Sequence, residues 1–292
     1  MNEIWQLTSR NMKRYFRDKG ALFFSFLSVV IVVALYIFFL ADMQIQNLQT
    51  QLGNVKDIKQ LVYTWIVGGL LCIPAISVPL FILTFKIEDV ADGTQDDLFV
   101  TPVKRSIIML GYVIPAWITG VIMTVLTLLI GELFIVVRGG TLLSAIDCLR
   151  IFGNIVVYVL AYTGFLFFFV IPLKTTTSIA ILNTILNTLI GFFAGLYIPL
   201  GYLSDEIATL IKVLPFSHSA ALFRTIMTED TLQKVLTDTS PDAVRGMKLD
   251  YGIDLKIGGH LMNGHEMILY IFVFGLLFYI GSIMILKHYK RK

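Results

Sequence analysis

Six runs of about twenty or more apolar residues constrain this chain more than any other feature, at 21–41, 61–85, 110–137, 151–173, 178–199 and 267–286. A helix needs about 20 such residues to cross about 30 Å of hydrocarbon. Only helices and closed barrels satisfy every backbone amide there. The expected fold is therefore an all-α integral membrane protein with six transmembrane helices. Composition agrees, with 57% hydrophobic and 15% charged residues and a mean hydropathy of +0.80, against the roughly 25% charged residues of soluble domains. The first run is longer than the apolar core of about 7–15 residues in a signal peptide, and is read as a retained span. Residues 1–20 form an arm ahead of a six-span membrane domain over 21–292. Apolar stretches within 200–227 are short and interrupted by Asp205, Glu206, Lys212 and Arg224. That segment is expected as an outer re-entrant hairpin after the fifth span, followed by an outer polar loop over 228–266.

Six spans place both termini on one side, and the distribution of Lys and Arg selects the side. Segments 1–20, 86–105, 174–177 and 287–292 hold 13 of the 23 basic residues in about 50 positions. The segments on the other side, nearly twice as long, hold 10. Both termini and segment 86–105 are thus expected in the cytoplasm. In the arm, Arg10, Lys13, Arg14 and Arg17 fall in one arc of a helical wheel, roughly opposite Ile4, Trp5, Met12, Tyr15 and Phe16. This is the pattern of an amphipathic helix lying at the interface.

Segment 86–105 reads KIEDVADGTQDDLFVTPVKR and is too polar for hydrocarbon. Thr94 and Asp97 have capping-box spacing. Asp96 and Asp97 suit a positive helix N-terminus, and Pro102 disfavours helical geometry at Thr101. The spacing predicts a helix of about two turns over 95–100, with Leu98, Phe99 and Val100 as an exposed apolar tip behind an acidic rim. Such a knob wants a groove on another protein.

Gly93-Thr94, Asp97-Leu98, Thr101-Pro102 and Lys104-Arg105, together with Ile198-Pro199, Leu214-Pro215-Phe216, Ser217, His218 and Arg224, make the sequence similar to type-two ABC exporter permeases, the membrane subunits of bacterial multidrug- and antibiotic-type transporters. The resemblance covers nearly the whole chain. It implies a coupling helix over 95–100 that docks on a cytosolic ATP-binding subunit, with Glu88, Asp89, Gly93, Thr94, Asp97, Leu98, Phe99, Thr101 and Pro102 as coupling residues. It also implies a bacterial cell membrane, two ATP-binding subunits, a second permease chain, identical or homologous, and outward movement of a hydrophobic or amphipathic molecule, as in drug efflux. Pro199, Pro215, His218 and Arg224 mark the outer hairpin. Two details depart from the pattern. Relatives alternate Arg and Glu before the Gly-Thr, where this chain has Glu88, Asp89 and Asp92 without Arg, and Ser204 stands where proline is common.

No GxxxxGK[ST] loop occurs, so ATP and Mg are expected on the partner and no cofactor in this chain. The chain is not expected to be an enzyme by itself. His265-Glu266 fails as HExxH because Leu269 takes the second histidine position. His260 and His265 lack a third ligand, so no metal site is expected. Cys72 and Cys148 form no disulfide framework, and no basic patch with interleaved aromatics suggests nucleic acid. For the translocation pathway the candidates are Glu132, which is also within reach of Arg138, with Asn183, Asn187, Phe192 and Tyr197. Phe193 and Phe165 to Phe169 add aromatic surface. Gly191 and Gly195 offer a small face for close helix approach. Alternative readings are export of a lipid-linked glycan or peptide, a secondary transporter, and a membrane scaffold not driven by ATP.

Overall fold

A computed structural model describes residues 2–35, 40–53, 55, 57–236 and 239–289. Among them the order is α1 (Asn2–Arg17), α2 (Lys19–Leu35), α3 (Ala41–Leu52), α4 (Ile58–Leu70), α5 (Pro74–Ala91), α6 (Thr94–Val100), α7 (Arg105–Val137), α8 (Ala145–Val170) and α9 (Thr176–Phe193). After a single 3-10 turn at Leu200–Tyr202 come α10 (Asp205–Val213), α11 (Pro215–Leu236), α12 (Pro241–Asp250), a hairpin of β1 (Lys256–Ile257) and β2 (His260–Leu261), and α13 (Gly264–Tyr289).

Five apolar stretches among the described residues are long enough to cross a membrane: Ile58–Ala91, Arg105–Val137, Ala145–Val170, Thr176–Phe193 and Gly264–Lys287. The span expected at 21–41 includes residues 36–39, which lie outside the described residues; α2 is its described part.

Helices α4 and α5 form the centre of the bundle, 89% buried over their most apolar window and apolar on every side. Around them pack α7, α8 and α11, while α9 and α13 lie outside with only 17% of the same window buried. The run expected as one span at 61–85 is two helices joined by the turn at 71–73. Pro74 opens the second, where its missing N–H costs nothing. Just before the turn, α11 crosses so closely that a Cβ on Gly68 would lie 3.1 Å from the Arg224 Cα, and one on Gly69 would lie 2.9 Å from Arg224 Nη2.

Arg224 is 1% exposed. Its guanidinium lies 4.4 Å from the Trp65 ring centroid and donates to the carbonyls of Gly195 at 2.9 Å and Tyr251 at 3.3 Å. The Trp65 indole N–H donates to the same Tyr251 carbonyl at 2.7 Å, and the Tyr251 hydroxyl bonds Gln44 Oε1 of α3 at 2.8 Å. One buried cation thereby ties α3, α4, α11 and the end of α9 together.

Several expected boundaries change. The segment expected as a hairpin over 200–227 contains the start of α11, which continues to Leu236 because Phe223, Ile226, Met227, Leu232 and Val235 all find core to bury against. The polar loop expected over 228–266 carries the end of that helix, α12 and the hairpin. Gly191 and Gly195 do not form a helix-packing face. The Tyr197 ring covers Gly191, and Gly195, at φ +59, ends α9 in the left-handed conformation.

Arg224→Leu removes two carbonyl bonds from a charged donor, each worth roughly 1.5–3 kcal/mol. Thermal unfolding of the detergent-solubilised protein is expected to show a loss of about 3 kcal/mol or more, with Arg245→Leu on the surface of α12 changing little.

Candidate functional site

The arm end of the bundle gathers the charged chemistry. Three faces of α1 are used differently. Thr8, Asn11 and Tyr15 are fully buried, on the stripe that repeats every three to four residues. Leu7 lies against Gly111 of α7, whose missing side chain leaves the room, and Asn11 Nδ2 donates to the Gly111 carbonyl at 2.7 Å. Trp5 and Phe16 remain exposed, as an interfacial helix requires. The basic face is not wholly solvated. Arg10 pairs with Asp89, and Arg14 bonds both Glu88, at 2.5 Å, and Asp89, at 3.1 Å. Tyr112 of α7 donates its hydroxyl to Asp89 at 2.7 Å. Asp89 is only 4% exposed, so its charge depends on these partners.

Glu88 and Asp89, expected as coupling residues, are thus engaged within the chain. The cations opposite them come from α1. Segment 86–105 is not an open loop, because α5 runs on to Ala91. Lys86 is buried in it, with Nζ donating to the carbonyls of Ile171 at 2.9 Å and Leu173 at 3.0 Å at the end of α8. Gly93 takes φ +78 to turn the chain from α5 into α6, which starts at Thr94. No side-chain cap bond forms at that start, so the expected pairing of Thr94 with Asp97 is absent; the left-handed glycine makes the turn instead.

Helix α6 ends where the Thr101 hydroxyl donates to the Leu98 carbonyl at 2.6 Å, ahead of Pro102. Of the expected apolar tip only Val100 stands free, at 86% exposure. Leu98 and Phe99 pack partly onto the core, and Arg105 covers the Phe99 ring at 4.8 Å. Asp96, Asp97, Thr101 and Pro102 are exposed around Val100.

The pathway candidates do not converge. Glu132 accepts the Leu143 N–H at 2.9 Å and closes the turn after α7, while Arg138 lies 5.8 Å from the rings of Tyr63 and Phe134; the expected Glu132–Arg138 pair does not form. On α9, Asn183 donates to the Ile179 carbonyl at 3.0 Å and reaches Thr84 of α5 at 3.4 Å. Asn187 is exposed, beside the exposed Thr184 and Thr188. Phe192 meets Tyr197 edge-on, and Phe193 stacks on Phe216. Phe165, Phe168 and Phe169 pack against Phe278 of α13, with Phe169 left exposed at the edge of that contact.

At the opposite end, Pro199 leads into the 3-10 turn and Pro215 opens α11. His218 is fully buried, with its ring stacked at 4.3 Å on Tyr270 and Nδ1 facing the Leu214 carbonyl at 3.1 Å. Burial lowers its pKa, so the imidazole is neutral and Nδ1 carries the hydrogen that the carbonyl accepts. His260 pairs with Glu266 on the surface, and no cluster of three metal-ligating side chains occurs among the described residues.

The family model described as ABC-2 family transporter protein matches residues 40–286. The chain belongs to that family. No curated protein matches it. This ABC-2 protein is accordingly a multi-pass membrane protein and the permease component of an ABC transporter, a family that works with an ATP-binding subunit. Within the ABC-2 chain, the partners Asn11, Tyr112 and Lys86 carried no sequence motif. Their signal lay in polar residues on the buried sides of otherwise apolar helices.

Asp89→Asn removes the charge on which α1 is anchored. Because Arg10 and Arg14 are more than a third exposed, the effect is discounted for solvent. Amide hydrogen exchange across residues 7–15 is expected to rise roughly tenfold, with exchange in α13 unchanged.

Proposed function

We propose that the chain is half of the membrane part of an ATP-driven exporter for a hydrophobic or amphipathic small molecule. It pairs with a second permease chain, identical or homologous, above two cytosolic ATP-binding subunits that bind ATP and Mg. The arm end faces the cytoplasm, in line with its excess of Lys and Arg, and the membrane is a bacterial cell membrane, as the sequence resemblance implies.

The observation that carries this reading is the construction of the arm end. Val100 projects from a short helix whose base continues α5, and α5 is held to α1 and α7 through Asp89. A push on Val100 by an ATP-binding subunit therefore acts on three helices together. Asp97, Thr101 and Pro102 frame the contact, Gly93 and Thr94 make its turn from α5, and Leu98 and Phe99 root it in the core. Glu88 and Asp89 transmit the push to the arm and do not touch the partner.

Support for a second chain comes from α9. It exposes Thr184, Asn187 and Thr188 in a stretch of membrane-spanning length; Thr184 and Asn187 donate back to the carbonyls of Ala180 and Asn183, and an exposed amide is still costly against hydrocarbon. This face, with Asn183 and Phe192 at its edges, meets the other chain and lines the pathway. Glu132 closes the turn after α7 through Leu143.

Val100→Asp is expected to cut co-purification with the ATP-binding subunit at least about tenfold and to abolish ATP-dependent transport in vesicles, while leaving the thermal midpoint unchanged. Retained transport would remove α6 from the coupling role. In membranes carrying Cys148→Ser, the Asn187→Cys chain is expected to form a disulfide-linked dimer on mild oxidation, and Ile280→Cys on the outer face of α13 is not.

A further inference from the structure

A cavity of about 480 Å³ opens at the arm end, between the end of α5, α6, the start of α7, the turn after α8 and the end of α13. That volume lies within the roughly 300–1,000 Å³ of small-molecule sites. Four cations line it, Lys86, Arg105, Lys174 and Lys287, against one carboxylate, Asp96. Among the described residues none of the four cations takes part in an ion pair. Lys86 is the most constrained, 5% exposed and bonded only to neutral backbone carbonyls. A buried ammonium without a counter-charge is expensive, and further cations around the same space add to that cost.

The rest of the lining is apolar, and it leads outward. Ile283 lines the cavity and is also 53% exposed on the outer face of α13. That face continues through Ile280, Leu277, Val273 and Leu269, all exposed, along the length of the helix. A ligand that satisfies both features carries an anion at one end and an apolar chain at the other. The cavity lies at the ends of the membrane-length stretches Ile58–Ala91 and Gly264–Lys287, where a spanning helix reaches the headgroups, and basic pockets between membrane helices recognise anionic headgroups.

We infer that this cavity is a binding site for an anionic phospholipid of the surrounding leaflet, with its phosphate among Lys86, Arg105, Lys174 and Lys287 and its acyl chains along α13. The bound headgroup touches Gln95 and Phe99 of α6, so the site links the leaflet to the helix proposed for coupling. The site itself stands without the transport reading, since it needs only a membrane helix bundle with this end at the headgroup level.

Thermal unfolding of the purified full-length chain in a neutral detergent tests it, with dioleoylphosphatidylglycerol, dioleoylphosphatidylcholine or free glycerol 3-phosphate added. Phosphatidylglycerol is expected to stabilise the wild-type chain at a concentration at least about tenfold lower than phosphatidylcholine. The doubly exposed pair Lys174→Glu and Lys287→Glu is expected to lose that preference while unfolding at the wild-type midpoint without lipid. If that pair is destabilised, Lys174→Gln with Lys287→Gln serves the same purpose. Equal stabilisation by the two lipids, or a preference retained in the charge variants that fold, overturns the site. Stabilisation by glycerol 3-phosphate as effective as that by the lipid overturns the phospholipid assignment in favour of a soluble phosphate.

Discussion

A carboxylate buried at the end of a membrane helix has to be neutralised by its neighbours, and at Asp89 that requirement organises the functional end of the protein. Arg10 and Arg14 reach it from the amphipathic arm, and Tyr112 reaches it from α7. Because Asp89 lies just before the turn into α6, the same charge fixes both the arm and the base of the proposed coupling helix. Two arginines oppose the two carboxylates Glu88 and Asp89, so removing either arginine leaves an acid without its counter-charge in a partly dry setting. Arg10 and Arg14 cover the acidic pair Glu88 and Asp89 from a different helix.

The opposite end is held by a second buried charge. Arg224 sits over Trp65 and bonds carbonyls from two loops, at a place where Gly68 and Gly69 let α11 approach α4. Between these two clusters the α4–α5 pair runs through the centre, broken once at 71–73. The central pair is thus held beside its break by Arg224 and at its far end by Asp89.

Much of the fold is legible in the sequence because length and hydropathy alone set spans of about 20 residues. The apolar runs at 110–137, 151–173 and 267–286 correspond to α7, α8 and α13. Tertiary partners were less legible. Nothing local in 61–85 announces the break except Pro74, and hydropathy is blind to a crossing helix that needs Gly68 and Gly69. The helical wheel found the basic arc of α1, yet it could not say that Arg10 and Arg14 point at acids some 75 residues away. A capping pattern at Thr94 and Asp97 was outweighed by the conformational freedom of Gly93. Among site residues, a motif marks Gly93, Thr101 and Pro102, whereas Val100 emerges as the exposed contact only once Leu98 and Phe99 are seen to pack inward.

The central claim is that the arm and α6 form one body through Asp89. Pulsed electron-electron resonance between spin labels at Trp5→Cys and Val100→Cys, in a Cys148→Ser chain reconstituted in lipid, measures this directly. A single narrow distance distribution that broadens when Asp89→Asn is added is the predicted result. A broad distribution in the chain that retains Asp89 would contradict the claim, because the arm would then move independently of the helix it is meant to carry.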